Sequence, residues 1–254
     1  MILVCDVGNT QTVLGVFDGD DLTEHWRLST DRNRTGDEFA ILVRSLLHDV
    51  GLDDDVSDVI VSSVVPSLRR TLRDGLSTVS GMAPRFLTPA TAAVRLDVSE
   101  PHAVGADRIA NTIAAYALYG GPCLVIDFGT AMNFDLIGAD GAFLGGAIAP
   151  EMQLAATALT ERAAQLHSIP LDVPPSVIGK TTAENLQAGI VLGYLDLVDG
   201  LIRRFRACFD ESLRVIATGG KARRFAEQLD AVDEYAPFLT LHGLRIWGRT
   251  TQER

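Results

Sequence analysis

Two apolar runs set the first expectation. Ile2-Leu3-Val4-Cys5-Asp6-Val7-Gly8 and Cys123-Leu124-Val125-Ile126-Asp127-Phe128-Gly129 are each hydrophobic almost throughout, and each ends on Asp-x-Gly. Runs of this length without polar alternation are those of strands buried on both faces. A small polar step follows, Asn9-Thr10 in one and Thr130 in the other. Then comes a second apolar run, residues 13–17 and 134–137, closed by the turn residues Asp18-Gly19 and Asp140-Gly141. The pattern predicts two antiparallel hairpins of one design about half a chain apart, and from them a duplicated fold with a cleft between the halves.

Between the hairpins the period changes. Thr35 and Glu38 have the spacing of a capping box, and Phe39, Leu42, Val43, Leu46, Leu47 and Val50 follow at helical intervals. Asp53-Asp54-Asp55 reads as a solvated loop. Residues 59–65 read as a strand, with Pro66 opening a helix toward Ser80. Prolines 84, 89 and 101 mark 83–104 as an irregular connection with short strands, and a helix from Gly105 runs to about Tyr119. The second half predicts strands near 123–128, 132–138 and 142–149 and a helix over about 151–165. A loop carries Pro170, Pro174 and Pro175. Thr181 and Glu184 form a second capping box that starts a long helix with Tyr194, Leu197, Val198, Leu201, Ile202 and Phe205 on one face. A strand over 213–218 meets Gly219-Gly220 and another helix, and the polar residues 248–254 are expected to fray. Strands mixed with helices make the class α/β.

Composition narrows the function. The chain has 254 residues, 47% of them hydrophobic, enough for one large domain or two ordinary ones. No run approaches the roughly 18 apolar residues that span a bilayer, and the N-terminus lacks the basic flank of a signal peptide, so a cytoplasmic location is expected. A net charge of −11 and a pI near 4.8 argue against nucleic acid and membrane surfaces as partners. They also mean that an anionic ligand must be held by local dipoles, a metal ion and a few cations. Cys5, Cys123 and Cys208 show no paired spacing and read as packing residues. The five histidines, 25, 48, 102, 167 and 242, show no metal-ligand spacing.

Four segments could carry chemistry. In Asp6-Val7-Gly8-Asn9-Thr10, Gly8 lets the backbone approach a ligand, Asn9 and Thr10 offer donors, and Asp6 can hold a hydrated cation. A plain hairpin turn would read the same way, but the second copy at Asp127-Phe128-Gly129-Thr130 favours a phosphate held from both turns. Gly105-Ala106-Asp107-Arg108 precedes a helix, whose N–H groups and dipole can face an anion; Asp107 can act as a base and Arg108 as a clamp, or the pair can be a helix cap and a surface Arg. Thr218-Gly219-Gly220-Lys221 permits close approach of a ring or a phosphate, or is a tight strand-to-helix turn. Gly179-Lys180-Thr181 resembles the tail of a Walker A loop, but Pro174 stands where that loop needs Gly, so it is read as a helix start. The only two lysines, Lys180 and Lys221, both lie in these glycine-bearing turns.

These segments, with Gly145-Gly146-Ala147-Ile148-Ala149-Pro150 and Thr182, appear in the order and spacing of type III pantothenate kinases. The chain resembles that family over nearly its whole length. The resemblance implies two ribonuclease-H-like domains of the actin-like ATPase superfamily around a nucleotide cleft, here 1–118 and 119–254. It implies phosphorylation of pantothenate by ATP, the first step of coenzyme A synthesis. ATP would be bound by Asp6, Val7, Gly8, Asn9, Thr10, Gln11, Thr12, Val13, Thr130, Gly219 and Gly220. Pantothenate would be bound by Gly105, Ala106, Asp107, Arg108 and Thr182, with Asp107 as proton acceptor. Asp127 would hold potassium or ammonium, Asp6 a hydrated Mg2+, and the enzyme would be a homodimer. Phosphoryl transfer needs positioning and charge neutralisation more than a strong base, so an Asp near its ordinary pKa of about 3.9 would serve.

The sequence departs from the family pattern at three places. Met132-Asn133 stand where two threonines are usual, Glu151 where Gly follows Pro150, and Val98 where many members carry Tyr. Met132 and Glu151 are expected to face the phosphates. The departures leave two other readings open, a regulatory nucleotide-binding relative and a kinase of another small hydroxy acid.

Overall fold

A computed structural model describes residues 1–53, 55–162, 167–209, 212–223 and 228–252. It contains two five-stranded mixed sheets. In the first, β1 (Ile2–Val7) lies between β2 (Gln11–Asp18) and β4 (Asp58–Ser63). β3 (Asp21–Ser29) flanks β2, and β5 (Arg85–Phe86) flanks β4. In the second, β6 (Cys123–Phe128) is central, β7 (Ala131–Ile137) and β8 (Phe143–Pro150) lie on one side, and β9 (Arg214–Thr218) and β10 (Glu234–Tyr235) on the other. Numbered within each sheet, both run 3-2-1-4-5. In both, the central strand pairs antiparallel with the strand that follows it and parallel with the fourth. The internal repeat seen in the two hairpins therefore extends to a whole sheet.

The chain packs as two compact units, which are not simply its two sequence halves. One comprises Met1–Gly120, Gly141–Leu144 and Phe238–Arg254; the other comprises Gly121–Asp140 and Gly145–Pro237. In the first unit, helix α1 (Gly36–Asp49) begins at the expected capping box: the Glu38 N–H donates to Thr35 Oγ1, and Glu38 Oε2 accepts the Thr35 N–H at 2.7 Å. Its buried side is Phe39, Ala40, Val43 and Leu47; Val50, expected on that face, is exposed. Pro66 opens a single 3-10 turn, Pro66–Leu68, before α2 (Arg69–Ser80). Helix α3 (Ala106–Tyr119) buries Ile109, Ala110 and Ala114.

Against α3 packs the C-terminal helix, Leu239–Gln252. Its residues 248–252, expected to fray, are helical. A Cβ on Gly243 would strike the Ala110 backbone, so glycine there lets the two helices touch along their main chains. Arg85 donates to the Gly248 carbonyl at 3.0 Å and to Thr251 Oγ1 at 2.7 Å, which ties down the polar end. Strand β3 was not foreseen, although Leu22, Glu24, Trp26 and Leu28 alternate along it as its half-buried face.

The second unit packs α4 (Met152–Arg162), α5 (Thr182–Gln187), a π-helical turn (Ala188–Leu192) and α6 (Gly193–Arg206) on its sheet. The second capping box forms as expected, with the Glu184 N–H donating to Thr181 Oγ1 at 3.2 Å. The single long helix expected after it is interrupted by the π turn. Thr182–Arg206 is long and apolar enough on average to cross a membrane, but Asp196, Asp199, Arg203, Arg204 and Arg206 lie along α6, as on a helix with one solvated face. Asp54 of the acidic loop, the end of the 151–165 helix and most of the helix after Gly220 lie outside the described residues. Cys5 and Cys123 are buried, and burial pushes the Cys123 thiol up to about 12; Cys208 is exposed, contrary to a packing role.

Candidate active site

In the first unit, chemistry gathers where β1 ends. Register places Ser62, Asp6, Val13 and Arg27 in one row across β4, β1, β2 and β3, so their side chains share one face of the sheet. The fully buried Ser62 Oγ donates to Asp6 Oδ1 at 2.5 Å, which fixes the carboxyl and leaves Oδ2 for another partner. The turn after Asp6 closes with the Gly8 N–H donating to the Gln11 carbonyl at 2.9 Å. Thr30 braces it: its Oγ1 donates to the Gly8 carbonyl at 2.8 Å and lies 2.9 Å from Thr12 Oγ1, and its N–H donates to the Thr10 carbonyl at 2.9 Å. Two guanidinium groups rest on the turn. Arg27 donates to Gln11 Oε1 at 2.6 Å and Arg32 to Asn9 Oδ1 at 2.9 Å. Asn9, Thr10 and Gln11 are exposed, whereas Val7 and Thr12 are buried and shape the turn.

Asp107 is the second carboxylate of this site. It stands in the first turn of α3, with Gly105 as N-cap. Its Oδ1 accepts the Arg108 N–H at 2.8 Å, so an N–H expected to face an external anion is taken by Asp107 itself. A Cβ on Gly105 would overlap Asp107 Oδ1; glycine makes room for the carboxylate to fold back over the helix start. Ala106 is buried, and the Arg108 guanidinium lies 5.0 Å from the Phe143 ring centre, a cation–π distance. Burial pushes the Asp107 carboxyl above its ordinary range, against the pull of the Arg108 N–H and charge. The expectation of an Asp near 3.9 is therefore corrected: burial makes it a stronger base.

Asp6 is pushed up to about 7, first by burial and then by the negative charge of Asp107, while the Ser62 hydrogen bond and Arg27 pull it down. A carboxylate raised by burial and by a second carboxylate is a place where a cation would be stabilising. Among the described residues no group of three or more His, Cys, Asp or Glu side chains forms a metal cage. Mg2+ needs no such cage: it takes one or two carboxylates and completes its shell with waters and phosphate oxygens. Asp6, with one oxygen tied to Ser62 and the other not, fits that role.

The second unit repeats the row. Asp127 pairs in register with Thr218 on β9 and Asn133 on β7, as Asp6 does with Ser62 and Val13. Its turn closes with the Gly129 N–H donating to the Ala131 carbonyl at 3.2 Å, and Thr130 is exposed beside it. Gly219, at φ +95°, lies flat on this turn: a Cβ there would come within 2.5 Å of Asp127 Oδ1 and 2.8 Å of the Phe128 backbone. Gly220 is exposed.

Met132 and Glu151, expected to face phosphates, do neither. Met132 is fully buried in the core of its unit, beside Phe128 and Phe134. Glu151 is 4% exposed; its Oε1 pairs with Lys221 Nζ at 2.8 Å and its Oε2 accepts the N–H groups of Gln153 and Leu154, so it caps α4. Lys221 is thereby committed to Glu151. Gly179-Lys180-Thr181 leads into α5, with Thr181 as its N-cap; a Cβ on Gly179 would strike Asn185, and the Lys180 N–H donates to Glu184 Oε2 at 2.5 Å. Thr182 is exposed at its first position. Val98 is half-buried with the core of the first unit. Ser62, Thr30, Arg27 and Arg32 were not foreseen, because strand register (Ser62, Arg27) and hydrogen bonds from the segment after β3 (Thr30, Arg32) bring them to Asp6 and its turn.

Two copies of a 3-2-1-4-5 mixed sheet, each with a central strand that runs into an Asp-x-Gly turn, define the duplicated α/β fold of actin-like ATPases. Structural comparison agrees on the fold. Component A of the (R)-2-hydroxyglutaryl-CoA dehydratase of Acidaminococcus fermentans superposes with a TM-score of 0.56 at 15% identity, covering 98% of each chain. The activator of the 2-hydroxyisocaproyl-CoA dehydratase of Clostridium difficile, solved with bound ADPNP, gives 0.53 at 13% identity over 100% of this chain and 97% of that one. Sequence comparison is narrower. The family model of type III pantothenate kinase matches residues 2–204. The type III pantothenate kinase of Moorella thermoacetica is 44% identical over 248 residues, 97% of this chain and 98% of that one, and the one of Parafrankia sp. is 46% identical over 257 residues and the whole of both chains. The chain belongs to the type III pantothenate kinase family.

Proposed function

We propose that Asp107 accepts the proton of the pantothenate hydroxyl as that oxygen attacks the γ-phosphorus of ATP. The enzyme is a pantothenate kinase: ATP and pantothenate give ADP and 4'-phosphopantothenate, the first step of coenzyme A synthesis. The observation that carries this assignment is the setting of Asp107. It is half-buried, raised in basicity, and held by the Arg108 N–H above a glycine that leaves room for it. Gly105, Ala106 and Arg108 in the first unit, and Thr182 in the second, are the further pantothenate residues in this reading, with Arg108 as partner for the carboxylate.

Residues 6–13 take phosphates of ATP, with Thr130, Gly219 and Gly220 as the nucleotide residues of the second unit. Asp6 holds Mg2+, which neutralises charge on the phosphates when bound. Potassium or ammonium belongs at Asp127, pressed by Gly219. A homodimer is the expected assembly, and Ile148, Val177 and Ile178, 66–72% exposed in the second unit, are apolar side chains that a second copy could cover. The reaction belongs in the cytoplasm. The test is ADP release with ATP, Mg2+ and pantothenate, with and without potassium. Turnover must need pantothenate; turnover indifferent to potassium would remove the Asp127 assignment, and faster turnover of another hydroxy acid would remove the substrate.

A further inference from the structure

We propose that Arg27 and Arg32 are phosphate-binding residues of the kinase, resting on the turn at residues 8–11 until a nucleotide arrives. The inference rests on the kinase reading and adds two ligands to its ATP site.

The chain has a net charge of −11, so the phosphates of ATP meet a repulsive field unless cations stand close. The first unit contains no lysine to supply them. Lys221 is bound to Glu151, and Lys180 is exposed at the start of α5, both in the other unit. Arg27 and Arg32 do stand at the first turn. Each donates to a neutral amide oxygen, Gln11 Oε1 at 2.6 Å and Asn9 Oδ1 at 2.9 Å. Among the described residues neither guanidinium is in a salt bridge, unlike Arg85 with Asp58 or Arg245 and Arg249 with Asp20.

An amide oxygen satisfies a donor without neutralising its charge. Both cations are therefore exposed with full charge, held over a glycine turn by contacts that a phosphate oxygen can replace with stronger, charge-assisted ones. Their positions are built, not incidental. Arg27 lies opposite Val13 and Val13 opposite Asp6, so it projects from the same face as the Asp6 carboxylate, two strands away, about 10 Å at the usual strand spacing. Arg32 follows Thr30, whose hydroxyl holds the Gly8 carbonyl, so the segment that carries Arg32 is itself fastened to the turn. The expected order of events is exchange: Arg27 leaves Gln11 and Arg32 leaves Asn9 as phosphate enters.

The experiment compares Arg27→Gln, Arg32→Gln, Arg27→Lys and, as a control of equal charge loss, Arg70→Gln at an exposed site on α2 paired with Asp74. Calorimetric titration with Mg2+ and a non-hydrolysable ATP analogue gives the dissociation constant of each, alongside the melting temperature of the free protein. Each Gln variant should weaken analogue binding by about tenfold or more, the loss of one charge-assisted hydrogen bond. Arg27→Lys should recover part of it, and Arg70→Gln should match wild type. Melting temperatures should stay within a few degrees of wild type. Analogue binding in Arg27→Gln and Arg32→Gln equal to that of Arg70→Gln overturns the inference. So does a loss that Lys does not recover and that tracks a fall in melting temperature, since that is a structural strap. Wild-type turnover with pantothenate is measured in parallel: no turnover overturns the kinase reading, whereas turnover with unaffected Gln variants overturns only this one.

Discussion

Replacing Asp6 by Asn removes a carboxylate that the folded chain holds at a cost. In the unfolded chain the group titrates at its ordinary 3.8; in the fold it titrates at about 7, driven up by burial and by Asp107. Below about pH 4 both states are protonated and the group is neutral with respect to stability. As pH rises toward 7, the unfolded state gives up its proton and the folded state keeps it, so stability falls, and above about 7 the full cost is present. At about 1.4 kcal/mol per pKa unit, the rise from 3.8 to about 7 corresponds to an upper bound of about 4 kcal/mol. Asn accepts the same Ser62 hydrogen bond and carries no charge. The variant should therefore match wild type near pH 4 and be more stable by about 2–4 kcal/mol at pH 8. Urea denaturation followed by tryptophan fluorescence measures this in the correct unit, because both tryptophans, Trp26 and Trp247, lie in the first one. The same variant should lose turnover. Equal stability of the two proteins at pH 8, or a difference that does not grow between pH 4 and 8, refutes the reasoning.

Asp107→Asn should lower kcat by about 10²–10⁴-fold and leave the dissociation constant of an ATP analogue within about threefold, read by turnover and calorimetry. Gly105→Ala forces the Asp107 carboxylate to move but no backbone to yield; it should cost less than about 1 kcal/mol of stability and lower kcat about tenfold or more. Gly219→Ala meets the Phe128 backbone at a positive φ, so it should destabilise by about 2–4 kcal/mol and abolish the response to potassium. Lys221→Met leaves the buried Glu151 without its cation; half exposure of Lys221 reduces the effect to about 1–3 kcal/mol, seen as a lower melting temperature.

What the sequence made legible was local. Both hairpins, both capping boxes and the glycine at the start of α3 follow from residues within a few positions of one another, and the repeated Asp-x-Gly pointed to a duplicated sheet before any strand was paired. The C-terminal helix was hidden by its own glycines: Gly243 and Gly248 lower helix propensity, yet each is there because another element, α3 or Ile60, presses against it. The role of Glu151 was misread because it stands where the family pattern has Gly after Pro150; its partner Lys221 is 70 residues away in sequence. Ser62 and Arg27 reach Asp6 only through register across three strand pairs, which no spacing encodes. The raised basicity of Asp107 is a consequence of burial by the whole unit and could not be read from four residues.

The central claim is that Asp107 serves a kinase whose acceptor is pantothenate. Its most direct measurement is ADP release by the purified protein with ATP, Mg2+ and potassium, with pantothenate added or withheld, for wild type and Asp107→Asn side by side. The account predicts ADP release by wild type only when pantothenate is present, and little by the variant in either case. Wild-type ADP release that ignores pantothenate, or a variant as fast as wild type, would contradict it.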